Sequence, residues 1–150
     1  MKGFKFKLNK VLEVKNIRLQ QQQKVLMEAA LKKLAANQEL EQKKAATNSY
    51  KKKLEKLNTL KAGMLNLYYG YYHQLLDELE QSEELLHQMI EMENSAREEL
   101  IGIQKEQKIL EKLKEHERHR FLEEFQQNEQ KQIDEMAIIG FLKKGKQKEE

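Results

Sequence analysis

The chain has 150 residues, 39% of them hydrophobic and 35% charged, and its 28 basic and 25 acidic side chains give a formal net charge of +3. With no Pro, Cys or Trp and only six Gly, it excludes a globular fold with many turns, and also disulfides, thiolate metal sites and cysteine nucleophiles. Charge this dense leaves each helix a narrow apolar stripe, which is buried most economically against one partner helix.

From Leu8 the apolar residues fall into a heptad frame. Leu12, Leu19, Leu26, Leu40 and Leu54 share one phase, and Leu8, Ala29, Ala36, Tyr50 and Leu57 the other; these are a and d positions. Lys15, Gln22, Lys33, Lys43 and Thr47 interrupt the seam, each costing stability while helping to fix register. The spacing predicts a first helix over about 4–60.

The frame stops at Lys61-Ala62-Gly63-Met64, where glycine can take the left-handed backbone that ends a helix, so the turn is expected at about 61–65. A second pattern then carries Tyr72, Leu79, Leu86 and Leu100 at a-like positions, and Leu75, Met89, Ala96, Ile103 and Leu110 at d-like ones. It predicts a second helix over about 66–141 that tolerates Gly70 and Gly102 at a cost of about 1 kcal/mol each. Beyond Leu113 the frame loosens into Phe121, Leu122, Phe125, Ile133 and Met136, so this helix outlasts its partner. A basic tail over 142–150 is expected to be disordered.

The expected fold is all-α, with two long helices forming an antiparallel coiled-coil hairpin in a single domain. At about 1.5 Å per residue the first helix would be on the order of 85 Å long, making a rod. Folding about Gly63 places residues whose numbers sum to about 125 opposite each other. All five phenylalanines, Phe4, Phe6, Phe121, Phe125 and Phe141, then collect at the open end, and all five tyrosines at the other. Tyr50, Tyr68, Tyr69, Tyr71 and Tyr72 either fill the seam near the turn or form an exposed docking patch.

Little else in the sequence points to chemistry. No stretch has signal-peptide or membrane-span length, so a soluble chain is expected, without direct membrane insertion. Interleaved charge argues against nucleic acid, since only Lys143-Lys144-Gly145-Lys146 resembles a basic cluster. His116 and His119 lack the zinc-protease spacing and a third ligand, and a two-helix rod has no pocket to separate carboxylate pKa values. Catalytic, cofactor-binding and metal residues are therefore all expected to be absent.

The opening Phe4-Lys5-Phe6-Lys7-Leu8 with Val11-Leu12, the Lys61-Ala62-Gly63-Met64 before an aromatic run and Leu75, and the stretch 110–121 recur in one known family. So does Glu129-Gln130-Lys131-Gln132-Ile133-Asp134-Glu135-Met136-Ala137 near the end. In this order and spacing they make nearly the whole chain resemble the FliJ family, a small coiled-coil component of the bacterial flagellar type III export apparatus. The resemblance implies a hairpin like the central stalk of rotary ATPases, set in a ring of the flagellar export ATPase and touching the membrane-embedded export gate. Export chaperones are a further implied partner class, and the implied place is the cytoplasmic face of the cell membrane at the flagellar base.

Carried onto this chain, the resemblance assigns Phe4, Phe6, Leu8, Phe121, Leu122, Phe125, Gln130, Lys131, Asp134 and Glu135 to the ATPase ring. It assigns Tyr50, Tyr68, Tyr71, Tyr72 and Leu75 to the gate. Gly70, with two tyrosines on each side, departs from the family pattern. The rival expectation is an independent structural coiled coil that homodimerises with no ATPase partner.

Overall fold

The computed structural model describes residues 3–57 and 61–146. Two helices, α1 (Asn9–Glu55) and α2 (Ala62–Lys146), account for nearly all of them; among the described residues there is no strand. Neither helix contains proline, and most positions are strong helix formers, so nothing in the backbone interrupts them. α2 runs through Gly70 and Gly102 without a break.

The helix boundaries differ from those expected. α1 starts at Asn9 rather than near Phe4, and just ahead of it the chain turns, the Phe6 carbonyl accepting from Asn9 N–H at 3.2 Å. The Leu8 carbonyl accepts the first helical bond, from Leu12 N–H at 3.0 Å. At the other end, Lys56 and Leu57 donate to the carbonyls of Lys53 and Leu54 at 3.2 and 3.1 Å, a tightened last turn that closes α1 before position 58. Lys52 and Lys53 lie in that last turn, where cations favour the carbonyl end of the helix dipole. The remaining expected helix, 58–60, lies outside the described residues.

Gly63 is not the reversal. The Lys61 carbonyl accepts from Met64 at 3.0 Å and Leu65 at 3.1 Å, so α2 has already begun at Ala62, and no described glycine has a left-handed φ. The chain therefore reverses between Glu55 and Ala62, ahead of the glycine. A Cβ at Gly63 would meet nothing within 4 Å. Gly63→Ala is accordingly expected to stabilise the fold by about 0.5–1 kcal/mol, read from urea unfolding followed by circular dichroism; destabilisation would restore the turn. The expected tail is also partly helical, since α2 continues to Lys146.

The chain divides into two compact units, one joining the residues up to Asn16 to those from Lys105 onward, the other running Ile17–Gln104. In each, a stretch of α1 lies antiparallel on a stretch of α2. Within the 17–104 unit the most buried apolar residues are Ala29, Ala36, Leu40 and Ala96, on the expected seam. Small side chains there leave little apolar area to bury, and the seam is completed by polar residues.

Gln22, Thr47, Ser82 and Glu93 are all buried. Gln22 donates to the Ala96 carbonyl at 3.0 Å, Lys43 to the Ser82 hydroxyl at 2.8 Å, and Thr47 to the Lys43 carbonyl at 2.8 Å. Among the described residues no buried side-chain nitrogen or oxygen lacks a partner, and the Gln22 and Lys43 bonds, which cross between the helices, are made in this register.

Among the described residues Glu93 is the one buried charge, paired with Lys33 at 2.5 Å and Arg97 at 2.9 Å. The Lys33 hydrogen bond holds its carboxyl below the ordinary 4.5, burial works against that shift, and the Lys33 and Arg97 charges reinforce it. Because the folded value lies below the unfolded one, the pair stabilises the fold above about pH 4.5, and that contribution is lost as pH falls through the folded value. The melting temperature of Glu93→Gln is expected to fall less than that of the parent between neutral pH and values below 4.5. Parallel acid profiles for the two would remove Glu93 from the pH dependence.

Candidate protein-docking surfaces

In the unit that holds both chain ends, Phe6 and Leu12 are buried. Phe4, in the segment ahead of α1, meets Phe121 of α2 with ring centroids 5.8 Å apart. That pair has the register expected from the sequence, as does Lys43 with Ser82 in the other unit. Lys114 donates to Asn9 at 3.2 Å, Gln107 to Asn16 at 2.6 Å, and Lys15 pairs with Glu106. These polar contacts fix the stretch of α2 on which Phe4 rests.

Phe125 is half-buried, while Leu8 and Leu122 are exposed. The fifth phenylalanine does not join this cluster. Phe141 is 80% exposed and lies sixteen positions beyond Phe125 on the same helix, about 24 Å along its axis. The expected gathering of all five is corrected, because in the register of the Phe4–Phe121 pair a position twenty residues beyond Phe121 lies past every residue of α1.

From position 126 to 144 every residue of α2 is exposed. Gln130 donates to Asp134 at 2.9 Å, one turn away, and Lys131 and Glu135 are exposed beside them. Ile133, Met136, Ile138, Ile139 and Leu142 are all more than half exposed. Apolar side chains left this exposed along one helix mark a candidate interaction surface.

In the 17–104 unit, Tyr50 of α1 packs between two tyrosines of α2. Its ring lies 4.9 Å from Tyr71, edge-on, and 6.5 Å from Tyr68, and its hydroxyl donates to the Tyr68 carbonyl at 3.2 Å. Burial, followed by the neighbouring Tyr68 and Tyr71, raises the Tyr50 phenol above its ordinary 10.0, so the hydroxyl remains a donor through the physiological range.

Tyr50, Tyr68, Tyr72 and Leu75 are half-buried, whereas Tyr69 and Tyr71 are about half exposed. Some of the tyrosines therefore sit in the seam, and others present a ring to solvent. Leu67 at 75% exposure and Met64 at 50% extend the same surface. Neither was singled out from the sequence, although each lies within one helical turn of a tyrosine.

Glu93 and Ser82 were also overlooked, yet both fall in the heptad frame, one step after Leu86 and Leu75 respectively. Among the described residues no helix is long and apolar enough to cross a membrane. No curated protein and no solved structure matched the chain. A family model, described as Flagellar FliJ protein, matches residues 4–146. With that match over nearly the whole of two mutually packed helices, the chain belongs to the FliJ family and is a component of flagellar protein export.

Proposed function

We propose that the chain is a stalk that joins the flagellar export ATPase ring to the membrane-embedded export gate, doing no bond-making chemistry itself. The observation that carries this reading is that the aromatic residues fall into two clusters of unlike chemistry, one in each compact unit. A family member with a single function at one surface would not need both.

Phe4, Phe6, Leu8, Phe121, Leu122 and Phe125 face the ring, together with Gln130, Lys131, Asp134 and Glu135 on the uncovered part of α2. Tyr50, Tyr68, Tyr71, Tyr72 and Leu75 face the gate. Export chaperones are a third class of partner, and the chain works at the cytoplasmic face of the cell membrane. Pull-down of the ring ATPase and of the gate's cytoplasmic part with the full chain tests the reading; capture of neither would end it.

A second reading is favoured by one observation. Met27, Leu31 and Leu34 are spaced i, i+4 and i+7 on α1 and are 67%, 60% and 52% exposed, a stripe that a second copy would cover. The stalk reading expects light scattering to give one chain of 17.9 kDa, whereas a stable dimer indifferent to the ATPase would favour an independent coiled coil.

A further inference from the structure

The charge of this chain is less evenly spread than its totals suggest. Across positions 45–76 the charged residues are Lys51, Lys52, Lys53, Lys56 and Lys61 against the single Glu55. That segment's net +4 exceeds the +3 of the whole chain, so the remainder is slightly acidic. All five lysines are exposed. Elsewhere Lys15, Lys33, Lys43 and Lys44 are matched by carboxylates, but among the described residues none of these five has an ion pair. Uncompensated like charges repel, and such a surface draws an oppositely charged partner.

Two of these lysines, Lys53 and Lys56, border an apolar concavity. A cleft of about 300 Å³ is lined by Tyr50, Lys53, Leu54, Lys56, Leu57 and Tyr68. A second, of about 280 Å³, shares Tyr50 and Tyr68 and is completed by Met64, Leu67 and Tyr71. The Tyr50 hydroxyl bonded to the Tyr68 carbonyl holds in place the two residues common to both clefts. Two adjoining apolar recesses with a cationic border are the negative image of a short peptide with apolar anchors and acidic neighbours.

We propose that this surface binds an amphipathic acidic peptide segment, its apolar side chains entering the two clefts and its aspartates or glutamates lying along Lys53 and Lys56. The inference rests on the tyrosine surface being a protein-docking site, as in the function proposed above, and names the chemistry of what docks there. An anionic membrane would meet the lysines equally well, but a bilayer surface does not fill recesses; it takes up an apolar helix face laid flat upon it.

The test uses the full chain and three fluorescent helical peptides with the same leucine and phenylalanine anchors, whose remaining positions carry glutamate, glutamine or lysine. Anisotropy is expected to show the glutamate peptide binding at least about tenfold more tightly than the glutamine peptide, and weakening with added salt. Lys53→Glu with Lys56→Glu should abolish that preference, and Leu67→Asp should weaken binding, both with unchanged far-ultraviolet circular dichroism because these side chains are exposed.

Equal binding of all three peptides would overturn the proposal, as would recruitment to phosphatidylglycerol vesicles without capture of the glutamate peptide. The gate's cytoplasmic part, measured alongside, separates this inference from the assignment of the gate. Gate binding indifferent to lysine reversal sinks the acidic-segment inference alone, and lysine-dependent peptide binding without gate binding sinks only the gate assignment.

Discussion

Replacing Phe4 and Phe121 together by glutamate is expected to abolish capture of the export ATPase. The two rings lie 5.8 Å apart and tie the segment 4–8 to α2, so two facing carboxylates would repel and release that segment along with its aromatic surface. The loss should exceed about tenfold in affinity, and by pull-down it should be complete. A second variant separates lost packing from a lost binding surface: Leu122→Glu alters a side chain that is already 45% exposed. It should weaken capture without moving the thermal transition. If both variants still bind the ATPase, the phenylalanine cluster is not its docking surface.

Leu40→Ala is expected to give the largest change in stability from a single apolar truncation. Leu40 is 4% exposed, the least exposed residue of the apolar core, and the apolar residues most buried around it in its unit are alanines. Truncation therefore removes one of the few large buried side chains and leaves a void that small neighbours cannot fill, at a cost of about 2–4 kcal/mol in urea unfolding. Leu31→Ala, on the same helix but 60% exposed, should stay within about 0.5 kcal/mol. Equal effects would mean that the seam does not run through Leu40.

The seam was legible because burial on a helix follows spacing, and Leu12, Ala29, Ala36, Leu40 and Ala96 all lie on the heptad frame and are buried. Spacing alone does not say which polar residues share that frame. Glu93 occupies an a-like position one heptad after Leu86, but what makes its burial tolerable is Lys33 on the other helix, a pairing visible only once the register is fixed.

The reversal was misplaced for a related reason. Glycine is the usual helix stop, yet a glycine one residue into a helix needs no left-handed backbone. The actual connection carries neither glycine nor proline between Glu55 and Lys61, and its turn-favouring residues, Asn58 and Thr59, are a weaker sign than the glycine that follows.

The two aromatic clusters were legible only as composition. Grouping the tyrosines apart from the phenylalanines follows from their numbers once the chain doubles back, but the same register leaves Phe141 beyond any residue of α1. The concentration of lysine over 51–61 could be counted directly. It is hidden by a chain-wide average in which acidic and basic residues nearly balance, and its meaning rests on the clefts beside it.

The central proposal is that the two aromatic clusters serve different partners. Its most direct test is a paired capture experiment, in which full-length Phe4→Glu/Phe121→Glu and full-length Tyr68→Glu/Tyr71→Glu are each offered the export ATPase and the gate's cytoplasmic part. The expected result is a crossed loss: the phenylalanine variant keeps the gate and loses the ATPase, and the tyrosine variant does the reverse. Loss of the same partner by both variants, or retention of both partners by both, would contradict it.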